Sequence, residues 1–167
     1  GQQEAIPRLQ RMRSRMGKGV LGINIGANKD SSDRIADYVT GAKNMAPLAD
    51  YLTVNISSPN TPGLRALQDK GALAELLAAV TTAMGQSKTP VFLKVAPDLD
   101  VAMAQKIAAL IISNTTITRP DLRSANQTET GGLSGAPLKD LALQRLKDFR
   151  TASGGQIPLI GVGGIAT

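Results

Sequence analysis

The sequence contains no cysteine, no histidine and no tryptophan, and only two tyrosines and two phenylalanines among 167 residues. The absence of cysteine excludes disulfide bonds, thiolate metal ligands and a cysteine nucleophile. The absence of histidine excludes Ser-His-Asp triads, histidine-based zinc sites and imidazole acid–base catalysis. So few aromatic rings do not form a stacking surface for single-stranded nucleic acid. Chemistry in this chain therefore depends on hydroxyl, amide, carboxylate and basic side chains, or on a cofactor.

Long apolar runs are missing as well, so we expect neither a membrane-spanning helix nor a secretory signal. Hydrophobic residues make up 42% and charged residues 19% of the sequence, which is typical of one soluble globular domain. The net charge is +6, and several basic residues lie between positions 8 and 18. We interpret them as a solvated helix face, in preference to a site for nucleic acid, an anionic membrane or a phosphorylated ligand.

Five short runs rich in leucine and β-branched residues predict five strands, at 20–25, 51–56, 91–95, 110–114 and 157–162. Their near-continuous apolar character is typical of parallel strands that are buried on both faces. Helical periodicity precedes the first run, over 1–16, and recurs in stripes at 35–45, 73–80 and 138–149. The alternation predicts an α/β fold with a parallel sheet, as either a barrel or a doubly wound sheet.

Helix starts are indicated by a few residues outside these stripes. Ser32 or Asp33 is the predicted N-cap of the second helix, and Pro137 is expected near the first turn of the last one.

The interval between the third and fourth predicted strands is too short for a complete βα unit, because the strands starting at Val91 and Leu110 are only 19 residues apart. A strand, a turn, a helix from about Asp100 and a return loop do not fit there. We therefore expect residues to be missing between these two strands.

Small or polar residues follow all five predicted strands, and in parallel α/β folds the carboxyl ends of the strands form the ligand site. Lys94 interrupts an apparently buried run, where an unpaired ammonium costs several kcal/mol, on the order of 5. Either Lys94 pairs with a carboxylate such as Asp98, or it holds a positive charge for an anionic ligand. These two interpretations stay open on the residues alone.

Two kinds of loop add to the predicted site. The segment 55–65 is polar and stiffened by two prolines, which suits it to hold a small polar molecule or simply to form a capped turn. The glycine-rich segments 131–135 and 161–164 either cradle a phosphate or form tight turns. Neither has the spacing of a dinucleotide-binding or P-loop motif.

Six segments together resemble one family, the quinone-dependent (class 2) dihydroorotate dehydrogenases. In order, they are LGINIGANK at 21–29, NISSPNTPGLR at 55–65, KVAPD at 94–98, SNTT at 113–116, ETGGLSG at 129–135 and PLIGVGGI at 158–165. The resemblance implies an FMN-dependent (β/α)₈ TIM barrel that oxidises dihydroorotate to orotate in de novo pyrimidine (UMP) synthesis. It also implies a quinone as electron acceptor, with no metal and no nucleic acid.

The resemblance implies roles for individual residues. Ser58 matches the catalytic base, which is cysteine in the class 1 enzymes, so the absence of cysteine agrees with class 2. Matches to substrate-binding positions are Asn55, Asn60, Asn114 and Thr115. Matches to FMN-binding positions are Asn24, Asn55, Lys94, Ser113, Gly135 and Gly164. The segment 61–68 resembles the family's active-site lid.

A complete (β/α)₈ barrel needs about 250 residues, so residues 1–167 are expected to represent about five of the eight βα units. The first two strands, the last strand and a membrane-docking N-terminal extension would then be absent from this sequence. We expect the chain alone neither to fold stably nor to hold FMN. For the whole protein, the resemblance implies peripheral association with the cytoplasmic face of a bacterial inner membrane, or with the mitochondrial inner membrane.

Three other hypotheses remain open. The chain is a catalytically incompetent barrel fragment, or another FMN-dependent pyrimidine oxidoreductase, or a basic module that binds nucleic acid. The last is the weakest, because the sequence lacks both aromatic interleaving and a recognisable reading helix.

Overall fold

The structure, a computed structural model, describes residues 1–58, 64–97 and 107–165. Its parallel sheet contains β1 (Gly22–Ile25), β2 (Tyr51–Asn55), β3 (Val91–Val95), β4 (Ala109–Ile112) and β5 (Leu159–Gly161). Its α-helices are α1 (Gln2–Arg13), α2 (Arg34–Met45), α3 (Lys70–Met84) and α4 (Lys139–Ala152), accompanied by 3₁₀ turns at 46–48, 64–68 and 136–138. The five predicted strands are confirmed, with ends that shift by up to two residues. The helix predicted from Asp100 lies outside the described residues.

The strand order separates a barrel from a doubly wound sheet. Neighbours in the sheet are also neighbours along the chain, in the order β1-β2-β3-β4-β5. A doubly wound sheet reverses its order at a switch point and carries helices on both faces. Here α2, α3 and α4 all contribute side chains to a core on one face. The arrangement is that of consecutive βα units of a (β/α)₈ barrel.

The hydrophobic core lies between this face of the sheet and the helices. Alternate strand residues point into it, as the period of two requires. Its fully or nearly fully buried members include Ile25, Leu52, Val54, Leu93, Val95, Leu110 and Ile112 from the strands, and Tyr38, Leu76, Val80 and Phe149 from the helices. Burying each large apolar side chain contributes about 1.5–3 kcal/mol, which makes this layer the main source of stability.

The opposite face of the sheet, called here the helix-free face, carries a different set of side chains. It includes Asn24, Thr53, Asn55, Lys94 and Ile111, which the register places across four strands. The expectation that every strand is buried on both faces was wrong for the edge strands, since Asn24 of β1 is exposed and the middle residue of β5 is 37% exposed. Within the described residues these two strands each pair with a single neighbour, which leaves this face uncovered at the edges.

Two helix starts differ from the predictions in detail. Asp33, and not Ser32, caps α2, because its carboxylate accepts a hydrogen bond from the Ala36 N–H at 3.0 Å. Pro137 lies in the 3₁₀ turn that precedes α4 and not in the α-helix itself. Its fixed φ suits that turn as well as it suits the first turn of an α-helix.

The first helix, α1, exposes its basic side chains. None of its residues is fully buried, and Arg8 and Arg11 face solvent, as does Arg15 just beyond the helix. This places the early positive charge of the sequence on an outer surface. Neither α1 nor any other helix of the described chain combines the length and apolar character needed to cross a membrane.

An ion pair fastens the end of α1 to the start of the sheet. Both terminal nitrogens of Arg13 donate to the carboxylate of Asp50, which also accepts the Leu21 N–H at 2.7 Å. The hydrogen bonds from Arg13, followed by the one from Leu21, lower the pKa of Asp50 from 3.8 to about 2. Because the ionised form is favoured only in the folded state, Asp50 stabilises the fold above its ordinary pKa.

This contribution is lost on acidification. In a protein that contains the complete barrel, we expect the thermal unfolding midpoint to fall as the pH drops from 3.8 towards about 2, as Asp50 becomes protonated. In Asp50→Asn the midpoint is lower at pH 7, and its change over the same pH interval is smaller. Asp30→Asn, which removes an exposed carboxylate, is the control and should retain the full acid dependence. Superimposable pH curves for the two variants would contradict the prediction.

Candidate functional site

The carboxyl ends of β2, β3 and β4 bring polar residues side by side. Asn55 and Lys94 are register partners, so adjacent strands place them on the helix-free face next to each other. The Ile56 N–H donates to the Lys94 carbonyl at 3.3 Å, and the Asn114 N–H donates to the Val95 carbonyl at 3.0 Å. These backbone hydrogen bonds extend the pairing of β2 and β4 with β3 beyond the ends of the strands. They hold the segments after β2 and β4 against the end of β3.

A side-chain network joins the segments that follow β2 and β4. The Ser57 hydroxyl donates to Asn55 Oδ1 at 2.8 Å and accepts from Asn114 Nδ2 at 3.0 Å. The Thr115 N–H in turn donates to Asn114 Oδ1 at 2.8 Å. Asn55, Asn114 and Thr115 are half-buried, whereas Ser57 is fully buried. Three residues predicted to bind substrate are therefore connected through one that was not predicted.

Tyr38 of α2 holds the same region from the helix side. It is fully buried, and its hydroxyl donates to the Asn55 carbonyl at 2.5 Å. Burial raises the pKa of Tyr38 to about 12, so the hydroxyl keeps its proton and remains a donor at physiological pH. From the sequence, Tyr38 was predicted only to belong to an apolar helix stripe. Its hydroxyl in an otherwise apolar stripe was the one available signal of a polar contact.

Lys94 is half-buried on the helix-free face. Within the described residues its ammonium group has no ion pair. The alternative partner, Asp98, lies outside them. From the sequence, Lys94 was predicted to lie in a fully buried strand. In the structure it is only half-buried, because its side chain lies on the helix-free face and points away from the hydrophobic core. The register therefore places the Lys94 and Asn55 side chains next to each other on the helix-free face.

The other predicted residues lie around this centre. Ser58 is half-buried and directly follows the network residue Ser57. Ser113 is fully buried, and its hydroxyl donates to the Asn114 carbonyl at 3.2 Å. Asn24 is exposed on β1, beside Thr53 and therefore two residues further from the carboxyl end of the sheet than Asn55. Asn60 lies outside the described residues, as does the first part of the predicted lid, 61–63.

The first glycine-rich segment reaches the site through a short antiparallel bridge. Thr116 and Leu133 exchange two backbone hydrogen bonds, of 3.2 and 2.8 Å. The bridge holds the segment 131–135 beside the chain that follows β4. Gly135 adopts a φ of 79° and precedes the 3₁₀ turn that leads into α4. This conformation favours glycine because other residues are strained there.

The second glycine-rich segment, after β5, packs against the start of α4. Gly163 and Gly164 have φ values of 119° and 67°, and a Cβ on Gly164 would lie 2.7 Å from the Lys139 Cα. Glycine is therefore required there for close backbone approach. Neither glycine N–H donates a hydrogen bond within the described chain, and the N-cap of α4 makes no side-chain capping bond. At the start of α4 the Leu138 and Lys139 N–H groups donate to the Gly135 and Ala136 carbonyls, so the groups left to bind an anion such as a phosphate are the N–H groups of the two glycines.

The chain matches a known protein family over its whole length. The family described as Dihydroorotate dehydrogenase matches residues 1–167. A relative from Novosphingobium aromaticivorans, named Dihydroorotate dehydrogenase (quinone), is 70% identical over 158 residues, which cover 89% of this chain and 45% of the relative. One of the same name from Erythrobacter litoralis is 66% identical over 168 residues, covering 95% and 49%. The chain thus spans about half the length of these curated relatives.

Solved structures agree with the sequence relatives. DHODH from Eimeria tenella in complex with ferulenol superimposes with a TM-score of 0.94 at 34% identity, covering 100% of this chain and 54% of that one. The ligand-free type from the same organism gives a TM-score of 0.89, also at 34% identity. The family match over the whole length, the identities and the superposition lead to one conclusion. The chain belongs to the dihydroorotate dehydrogenase family.

Proposed function

We propose that this chain forms the central part of a quinone-dependent dihydroorotate dehydrogenase, which oxidises dihydroorotate to orotate in pyrimidine synthesis. The observation that carries the proposal is the cluster in which Asn55, Ser57 and Asn114 are hydrogen-bonded beside the Lys94 side chain. Amides and a cation at strand ends suit a small, planar, anionic ligand rich in carbonyl groups. The relatives' shared name supports the same activity.

Substrate binding is assigned to the amides and to the loop after β2. Asn55 ends β2 and Asn114 follows β4, on either side of β3, and Thr115 follows Asn114 directly. Hydrogen bonds from such groups to ring carbonyls orient the substrate and draw electron density towards its oxygen atoms. Asn60 completes this set in the proposal.

Ser58 is the proposed base. Its Oγ would remove the proton from C5 of dihydroorotate, which lies next to a carbonyl and is acidified when amide donors polarise that carbonyl. A hydroxyl is a weak base, so the proton must move on to water or to a neighbouring group as it is taken. A lid over 61–68 would keep bulk water out during this step.

The residues also fit FMN, which when bound accepts the hydride from C6 of the substrate. Lys94 supplies a positive charge on the helix-free face, next to Asn55. Ser113 and Asn24 are assigned to the same cofactor. The unbonded N–H groups of Gly163 and Gly164, beside the start of α4, are suited to its phosphate. Gly135 is assigned to the same cofactor.

We further propose that residues 1–167 supply the third to seventh strands of the barrel. The chain covers 45–49% of these two relatives, and both edge strands of its sheet lack a second neighbour within the described residues. Flanking segments would add the missing strands and the contact with the quinone. Because quinones dissolve in lipid, the whole protein would act at a membrane surface, on the cytoplasmic face of a bacterial inner membrane. A catalytically incompetent fragment is the second candidate.

The visible spectrum tests activity and domain organisation together. We expect a yellow, flavin-containing protein when this chain is joined to the flanking segments of the Novosphingobium relative, and bleaching of its flavin absorbance when dihydroorotate is added without oxygen. The 167-residue chain alone should be colourless, since its barrel is open. A yellow chimera that dihydroorotate does not bleach would contradict the proposed substrate. A colourless chimera would favour the incompetent fragment.

Removing the base should separate binding from chemistry. We expect Ser58→Ala to retain FMN while flavin reduction by dihydroorotate slows by about 10²–10⁴-fold, the usual contribution of a general base. Stopped-flow absorbance measures the rate. Ser14→Ala, which changes an exposed serine beyond α1, is the control and should react normally. Unchanged reduction in Ser58→Ala would remove this residue from the role of base.

The charge of Lys94 should matter for cofactor affinity. A hydrogen bond to a charged group contributes about 1.5–3 kcal/mol, so we expect Lys94→Gln to raise the FMN dissociation constant about ten- to hundredfold. Fluorescence of released flavin gives this constant. Lys43→Gln, on the exposed side of α2, removes the same charge away from the site and should bind FMN normally. Equal affinities in the two variants would leave Lys94 with a structural role only.

A further inference from the structure

Ser57 is a fully buried hydroxyl that lies between two amides of the site. Its Oγ is 2.8 Å from Asn55 Oδ1 and 3.0 Å from Asn114 Nδ2, so it bridges the segments after β2 and β4. The role of base was assigned to the next residue, Ser58, and Ser57 has no part in the chemistry proposed above. A buried polar group with two partners across strands calls for an explanation of its own.

The direction of every hydrogen bond in this network is fixed by two backbone N–H groups. The Ser57 N–H donates to Asn55 Oδ1 at 3.2 Å, and the Thr115 N–H donates to Asn114 Oδ1 at 2.8 Å. Since an N–H only donates, each bond identifies which end of the amide is the oxygen. Asn114 therefore presents its NH₂ group to Ser57. The Ser57 hydroxyl must accept from Asn114 and give its own proton to Asn55.

This direction determines what the site offers to a ligand. Asn55 Oδ1 accepts two hydrogen bonds from Ser57, which turns its NH₂ group away from the network. Within the described residues that NH₂ group has no hydrogen-bond partner, and the second N–H of Asn114 is also unused. The two amides therefore act as donors. They suit a ligand that presents carbonyl or carboxylate oxygen atoms at this edge, and they disfavour one that presents N–H groups there.

We infer that Ser57 is a positioning residue that orients Asn55 and Asn114 so that both present N–H donors to an oxygen-rich pyrimidine. The inference rests on the proposed function and extends it. It proposes that a residue which does not touch the substrate determines whether the two amides offer N–H donors or carbonyl acceptors to it. Its hydroxyl proton is held by Asn55, so Ser57 itself neither donates to the ligand nor serves as the base.

The test compares Ser57→Ala with Ser153→Ala in the flavin-loaded protein, as the complete barrel proposed above. Ser153 is also a buried serine, but its hydroxyl donates to the Arg150 carbonyl at the end of α4. The readouts are orotate affinity by isothermal titration calorimetry and the side-chain amide resonances of Asn55 and Asn114 in the ¹⁵N NMR spectrum. We expect Ser57→Ala to weaken orotate binding about tenfold or more through two lost hydrogen bonds, with FMN still bound.

The NMR readout reports orientation independently of turnover. In Ser57→Ala both asparagine NH₂ resonances should move and the orotate-induced shift of Asn55 should shrink, whereas Ser153→Ala should leave them in place. Ser57→Cys keeps a weak donor in a side chain of similar size, and we expect an orotate affinity between those of the serine and alanine proteins. If Ser57→Ala does not retain FMN, the cysteine variant decides.

The outcomes separate the two proposals. Equal orotate affinity and unchanged asparagine resonances in the variants would overturn the positioning role while leaving the proposed function intact. Failure of the unsubstituted, flavin-loaded protein to bind orotate at all would overturn the proposed function, and the inference with it.

Discussion

The parallel register of β2 and β3 is the constraint on which the rest of the site depends. It makes Asn55 and Lys94 neighbours on the helix-free face, and the backbone bonds beyond the strand ends extend the same pairing to Asn114. Side chains alternate between the two faces along a strand. A shift of β2 by one residue in its pairing with β3 would therefore turn Asn55 into the hydrophobic core and place an apolar residue on the helix-free face. The helical layer prevents such a slip, since one face of the sheet is tightly packed.

Two layers of interaction therefore serve different purposes in this chain. The core between the sheet and the helices is apolar and supplies stability, while the strand ends supply polar groups whose cost is offset by hydrogen bonds to each other. Tyr38 belongs to both layers, as its ring lies in the core and its hydroxyl holds the Asn55 carbonyl. The proposed chemistry needs this division, because amides are useful to a ligand only when their orientation is fixed beforehand.

The sequence was sufficient for the architecture and for the surroundings of the site. Runs of apolar residues located all five strands because parallel strands in a barrel have a strong and simple signature. Polar residues at the strand ends then indicated where Asn55, Lys94 and Asn114 would meet. Periodicity is the same in a barrel and in a doubly wound sheet, so the barrel was predicted only by the family resemblance, and the strand order confirms it. The roles of Ser57 and Tyr38 could not be read from spacing, because they depend on contacts between segments 57 and 17 residues apart.

The contact between Tyr38 and the Asn55 carbonyl links an outer helix directly to the proposed site. A small shift of α2 along its axis would be transmitted through a single short bond to the backbone from which the Asn55 amide projects. Substitutions in α2 thus have a physical route by which to shift the backbone of Asn55. The orientation of the Asn55 amide therefore depends in part on a helix that packs on the other face of the sheet.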